Sequence, residues 1–133
     1  MESFLILIVE DNMIFRKTMA DFLSSHFPSA AIEEAGDGRE ALEKIEAHSP
    51  DLVFMDIRLP RQNGLQLTEQ IKKTHPGIIV AVLTSYDQPE YREEATRVGA
   101  DHFLIKGFST NEDMTRLVQE VLAKSGKSLP PPA

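Results

Sequence analysis

Phe4-Leu5-Ile6-Leu7-Ile8-Val9 (residues 4–9) runs straight into Glu10-Asp11, and its hydrophobicity is continuous rather than alternating. A strand with one face in water alternates polar and apolar residues. An uninterrupted apolar run is expected of a strand buried on both faces. The run is too short to cross a bilayer and lacks the basic flank of a signal peptide. It reads as a buried strand, and the rest of the chain repeats the theme.

Downstream, Phe15, Met19, Phe22 and Leu23 recur at helical spacing, and Pro28 closes that segment. A weaker strand candidate, Ala31 to Ala35, precedes a turn at Gly36-Asp37-Gly38 and a helix carrying Ala41, Leu42 and Ile45. Pro50 introduces the third apolar run, Leu52-Val53-Phe54-Met55, which stops at Asp56. A loop with Pro60 and Gly64 leads to a helix with Leu67 and Ile71 on one face, ended by Pro76-Gly77. The fourth run spans Ile78 to Leu83, with Thr84-Ser85-Tyr86-Asp87 after it. Pro89 is placed to begin a helix that ends at Gly99. His102 to Ile105 is the last strand and stops at Lys106. Met114, Leu117, Val118, Val121 and Leu122 form one apolar stripe, and Ser109 with Glu112 fits a capping box at its start.

Strands alternating with helices over short connections imply an α/β fold: a parallel sheet with helices on both faces. Five strands suit the flavodoxin-like (βα)5 order 2-1-3-4-5, in which ligands sit at the carboxyl ends of the strands near the switch between strands 1 and 3. Residues 1–124 make one domain on this reading. The remainder, Ser-Gly-Lys-Ser-Leu-Pro-Pro-Pro-Ala (125–133), reads as a tail or linker stump that cannot continue a helix.

Composition narrows the chemistry. The 133 residues carry 14 Lys and Arg against 21 Asp and Glu, a net charge of −7, and the basic residues are scattered. Nucleic-acid binding by this domain is therefore not expected, because phosphate contacts need clustered cations. With no cysteine, disulfides, thiolate nucleophiles and cysteine-based zinc sites are excluded. His26, His48, His75 and His102 stand apart, without ligand-like pairing. No segment reads as a membrane span, and the chain reads as cytoplasmic.

The polar residues after the strong strands carry the functional information. Strand 1 ends in Glu10-Asp11, strand 3 in Asp56, strand 4 in Thr84 and strand 5 in Lys106. In a parallel sheet these ends share one edge, so three carboxylates, a hydroxyl and an ammonium converge. Any one of them alone reads as an ordinary cap, turn residue or solvated charge; their joint placement at four strand ends does not. Clustered carboxylates need a counter-charge, and Mg²⁺ suits oxygen ligands and phosphate. A carboxylate is also a nucleophile able to form an aspartyl phosphate. Thr84 and Lys106 supply the donors that a phosphoryl group would want.

At this point the chain resembles the receiver domain of two-component response regulators, from about Phe4 to Lys124. The resemblance rests on Ile-Leu-Ile-Val-Glu-Asp-Asn (6–12), Asp-Leu-Val-Phe-Met-Asp-Ile-Arg-Leu-Pro (51–60), Asn63-Gly64, Leu83-Thr84-Ser85, and Gly99-Ala100-Asp101 leading to Lys106. It implies that Asp56 is the phosphoacceptor and that Glu10, Asp11, Asp56 and the backbone carbonyl of Arg58 hold Mg²⁺. It further implies that Thr84 and Lys106 contact the phosphoryl oxygens, helped by backbone N–H groups near Arg58 and Ser85. The implied donor is a phosphohistidine on a sensor histidine kinase or phosphotransfer protein, and the output partner stays open. Phosphorylation would draw Thr84 inward and turn Phe103 from exposed to buried, altering the face of helix 4, strand 5 and helix 5. A plain core role for Phe103 competes with that reading.

The chain departs from the family pattern in two places. Gly107 follows Lys106 where a proline, often cis, is common; a trans bond or local disorder is expected, since cis without proline costs about 3–4 kcal/mol. Receivers of NarL-type transcription regulators often lack that proline, which points toward this subgroup. Phe103 replaces the frequent tyrosine and so lacks its hydroxyl. Other classes fit less well. An Asp-nucleophile phosphohydrolase needs a second aspartate where Arg58 stands. A flavin carrier needs a Ser/Thr/Gly-rich loop where Glu10-Asp11-Asn12 stands, and a degenerate scaffold would have lost site residues that are all present.

Overall fold

The computed structural model describes residues 3–107 and 111–127. Strands β1 (Leu5–Val9), β2 (Ala31–Ala35), β3 (Leu52–Met55), β4 (Ile79–Thr84) and β5 (His102–Ile105) form one sheet, ordered β2-β1-β3-β4-β5. Every pairing in it is parallel. Helices α1 (Met13–His26), α2 (Gly38–His48), α3 (Gly64–Thr74), α4 (Pro89–Arg97) and α5 (Asn111–Ser125) make the connections and the closing segment. This is the flavodoxin-like α/β architecture expected from the alternation.

The period of two along each strand divides the core. Ile6, Ile8, Leu52, Phe54, Ala81 and Leu83 pack with α1 residues Met19 and Leu23 and with α5 residues Leu117, Val118 and Val121. Leu7, Val9, Val53, Met55 and Val80 turn the other way, onto Ala41 and Ile45 of α2 and Leu67 and Ile71 of α3. A smaller third cluster joins Ile57, Leu65 and Val82 to Ala95 of α4 and to Val98, which caps its end. Because both sheet faces are covered, the inner strands need no polar residues, which is why residues 4–9 read as they do.

Local chemistry sets the helix ends. Asn12, rather than Glu10 or Asp11, caps α1: its Oδ1 accepts from the Phe15 N–H at 3.0 Å. Asp37 caps α2 and Asn63 caps α3 in the same manner. Pro89 opens α4, which ends at Arg97 with Gly99 following at φ 98°, a conformation that costs glycine little. Ser109, expected to cap α5, lies outside the described residues. At the far end of α5, Gly126 (φ 75°) turns the chain so that the Lys127 ammonium reaches the Asp51 carboxylate at 3.0 Å.

The segment after Asp56, expected as a loop, holds a short ladder. Arg58–Leu59 and Gln62–Asn63 form a two-residue antiparallel ladder, with Pro60 and Arg61 (φ 62°) at its tip. It stiffens the connection that immediately follows Asp56.

Candidate functional site

The backbone of the site is held by extensions of the sheet ladder past the strand ends. The Glu10 N–H donates to the Ala35 carbonyl at 3.0 Å, the Asp56 N–H to Val9 at 3.1 Å and the Lys106 N–H to Thr84 at 2.8 Å. Three residues from distant parts of the chain are thus tied to neighbouring strands at one edge. Glu10, Asp11 and Asp56 each place a carboxylate oxygen within 4.8 Å of the others. Glu10 and Asp56 are buried, with 3% and 8% of their surface exposed, while Asp11 faces solvent.

Lys106 supplies the counter-charge. Its ammonium donates to Glu10 Oε1 and, at 3.3 Å, to Asp56 Oδ2, and it lies 4.4 Å above the Phe15 ring. Burial works to lower its pKa, but the hydrogen bond to Glu10 and the charges of Asp56 and Glu10 outweigh that and hold it above the ordinary lysine value. Glu10 is satisfied on its other oxygen by the Asn12 N–H at 3.1 Å. The Arg16 guanidinium caps the Glu10 backbone carbonyl at 2.7 Å and pairs with Glu34 at 2.9 Å.

The connection after Asp56 is built on close backbone approach. A Cβ on Gly64 would stand 1.8 Å from the Asp56 carbonyl oxygen, and the Gly64 N–H donates to the Ile57 carbonyl at 2.6 Å. Only a glycine lets α3 begin this near the strand end. The Asn63-Gly64 pair therefore has a physical explanation: the asparagine caps α3 and the glycine admits the Asp56 backbone. Three hard carboxylate oxygen donors at one point fit a hard divalent cation such as Mg²⁺ in chemistry and charge.

The profile of the family described as response regulator receiver domain matches residues 6–119. The chain belongs to that family. Among relatives, it is 38% identical over 107 residues to the transcriptional regulatory protein PdtaR of Mycobacterium tuberculosis, a span covering 80% of this chain and 51% of that protein. It is 35% identical to the chemotaxis protein CheY of Halobacterium salinarum, covering 77% of this chain and 84% of that one. A CheY-like receiver domain structure from Methanospirillum hungatei superposes with a TM-score of 0.85 at 28% identity, over 94% of this chain and 98% of that one. The chain thus spans about half the length of the transcriptional regulator that it matches. As a receiver domain it is a signalling module of two-component systems.

The remaining marked residues of the receiver domain are placed as follows. Thr84 is fully buried at the end of β4, and its hydroxyl accepts from the Tyr86 N–H at 3.3 Å. Arg58 pairs with Asn63 in the short ladder, and its guanidinium lies 4.7 Å over the Tyr86 ring. Phe103 is half-buried against the α4 cluster, with the Arg92 guanidinium 4.6 Å over its ring. Lys106–Gly107 is trans, as expected without proline, and Gly107 takes φ 86°. Among the described residues no histidine belongs to a metal-ligating group, and no helix is long and apolar enough to cross a membrane.

Several contributors to the site carry no local mark in the sequence. Phe15, one of the residues at helical spacing, lies under Lys106, and Arg16, which no motif marks, holds the Glu10 carbonyl. Asp101, from the Gly99-Ala100-Asp101 motif, has a structural task. Its Oδ2 accepts from the Val80 N–H at 2.9 Å and the Lys72 ammonium at 3.0 Å, tying the α4–β5 turn to the start of β4. Asp101→Ala strands a buried backbone donor and is expected to cost about 1–3 kcal/mol. Asp101→Asn, which keeps an acceptor, should cost less. Urea unfolding midpoints check this, and equal midpoints for wild type and Asp101→Ala would refute it.

Proposed function

We propose that this receiver domain accepts a phosphoryl group on Asp56 from a phosphohistidine of a sensor kinase or phosphotransfer protein, and that the modification changes which partner it binds. The supporting observation is the convergence at one sheet edge of three carboxylates and the Lys106 ammonium, with Lys106 donating to Asp56 itself. In the transfer, an Asp56 carboxylate oxygen attacks phosphorus as the P–N bond opens. The imidazole leaves neutral when its other nitrogen carries a proton.

Each residue then has a task. Glu10, Asp11, Asp56 and the Arg58 backbone carbonyl would hold Mg²⁺, which when bound supplies positive charge for the phosphoryl oxygens. Lys106 is already beside Asp56 and donates to a phosphoryl oxygen, a charge-assisted bond stronger than a neutral one. The Thr84 hydroxyl exchanges its contact with Tyr86 for one with the phosphoryl group, and that movement makes room for Phe103 to turn inward. Backbone N–H groups near Arg58 and Ser85 complete the cradle. The new contacts bias a two-state element, the face built from α4, β5 and α5. The reaction is confined to the domain's own aspartate, without a separate substrate.

Intact mass after incubation with Mg²⁺ and acetyl phosphate tests the reading. One added phosphoryl group is expected, absent in Asp56→Asn and on chelation of Mg²⁺. No adduct with any donor would indicate a phosphorylation-independent interaction domain.

A further inference from the structure

Arg92 stands apart among the charges of α4. Its neighbour Arg97 is paired, donating to Glu94 at 2.5 and 2.7 Å and lying 3.6 Å from Glu69. Arg92, exposed to water, instead lays its guanidinium 4.6 Å over the Phe103 ring. Phe103 is the register partner of Val82, two residues before Thr84 on the next strand. In strands with a period of two, Phe103 therefore shares its sheet face with Val82 and Thr84. Its ring packs against the cluster of Ile57, Leu65, Val82, Ala95 and Val98, the last two from α4 and its C-terminal cap. The ring is thus held between a half-buried apolar bed and a cation delivered by the helix above it.

We infer that Arg92 is a latch that holds Phe103, and with it α4, in the unphosphorylated arrangement. The inference rests on the switch reading proposed above. A phenyl ring has no hydroxyl with which to hold an outer or inner position by hydrogen bonding. Its π face is what remains, and a guanidinium is the cation best suited to lie flat on it. When the ring turns inward toward the space that Thr84 vacates, it leaves the guanidinium and the contact is lost. An interaction present in one state and absent in the other opposes the transition by its full strength. Arg92 therefore acts as a positioning residue that sets the resting bias, without touching the phosphoryl site.

Beryllofluoride with Mg²⁺, a phosphoryl mimic, tests this on the full chain. Arg92→Gln removes the cation and keeps a long side chain on an exposed helix face. It is expected to tighten the apparent beryllofluoride affinity by about two- to fivefold, with the melting temperature nearly unchanged. Arg92→Lys, which retains a weaker cation, should fall between the two. Phe103→Leu should abolish the difference between Arg92 and Gln at position 92. A wild-type response to beryllofluoride with the same affinity in Arg92→Gln would overturn the latch while leaving the switch reading intact. No wild-type response at all would overturn the switch reading and the latch with it.

Discussion

Gly64→Ala is expected to unseat Asp56, lowering stability by about 3 kcal/mol and phosphoryl uptake by about a hundredfold. The added methyl would lie 1.8 Å from the Asp56 carbonyl oxygen, 2.8 Å from its carbonyl carbon and 3.0 Å from the Ile57 Cα. All three are backbone atoms, which cannot swing aside as the end of a side chain can. The Gly64 backbone is also committed on both sides, its N–H to Ile57 at 2.6 Å and its carbonyl to the Thr68 hydroxyl at 2.8 Å. Relief must come from moving either the start of α3 or the segment that carries Asp56. Displacements of about 1 Å at a reacting group cost roughly two orders of magnitude in rate. Gly77→Ala is the control, since a Cβ there meets nothing within 4 Å. Denaturant midpoints and the rate of the mass shift with acetyl phosphate measure both effects; wild-type values in Gly64→Ala would refute the account.

Lys106→Met removes the counter-charge of the acidic site and is expected to cost about 3 kcal/mol at neutral pH without Mg²⁺. The ammonium bridges Glu10 and Asp56, both buried, and no second described lysine or arginine forms a salt bridge with either. In the wild type its pKa is raised, since the Glu10 hydrogen bond and the Asp56 charge overcome the opposing effect of burial. A raised folded value means that the contribution is complete below the unfolded lysine pKa, about 10.4, and is lost as pH climbs through the folded value. The deficit of the variant should therefore shrink as pH climbs through the folded lysine value, where the wild type loses the same charge. Mg²⁺ at a hundred times its dissociation constant should return about 2.7 kcal/mol to either protein. Melting curves across pH, with and without Mg²⁺, test the pattern. A deficit that is independent of pH would show that Lys106 matters for packing rather than charge.

Fold and site were not equally legible along the chain. The continuous runs at residues 4–9 and 52–55, the stripe on α5 and the helix start at Pro89 all follow from interactions within a few residues, so their chemistry shows in order. The placement of polar residues after the strands is visible for the same reason, because a parallel sheet brings like ends together. The contacts that shape the site span much longer separations. Lys106 meets Glu10 across 96 positions and Asp56 across 50, and the Asp101 carboxylate finds the Val80 N–H on another strand. Arg92 over Phe103, Arg58 over Tyr86 and Phe15 under Lys106 depend on how helices settle on the sheet. A lone arginine or phenylalanine in a helix carries no mark of its distant neighbour. Local periodicity and capping determine which segments are strands and helices and which residues end at the common edge. Long-range packing alone selects which of those residues touch, because side-chain contacts form only after the backbone has brought remote segments together.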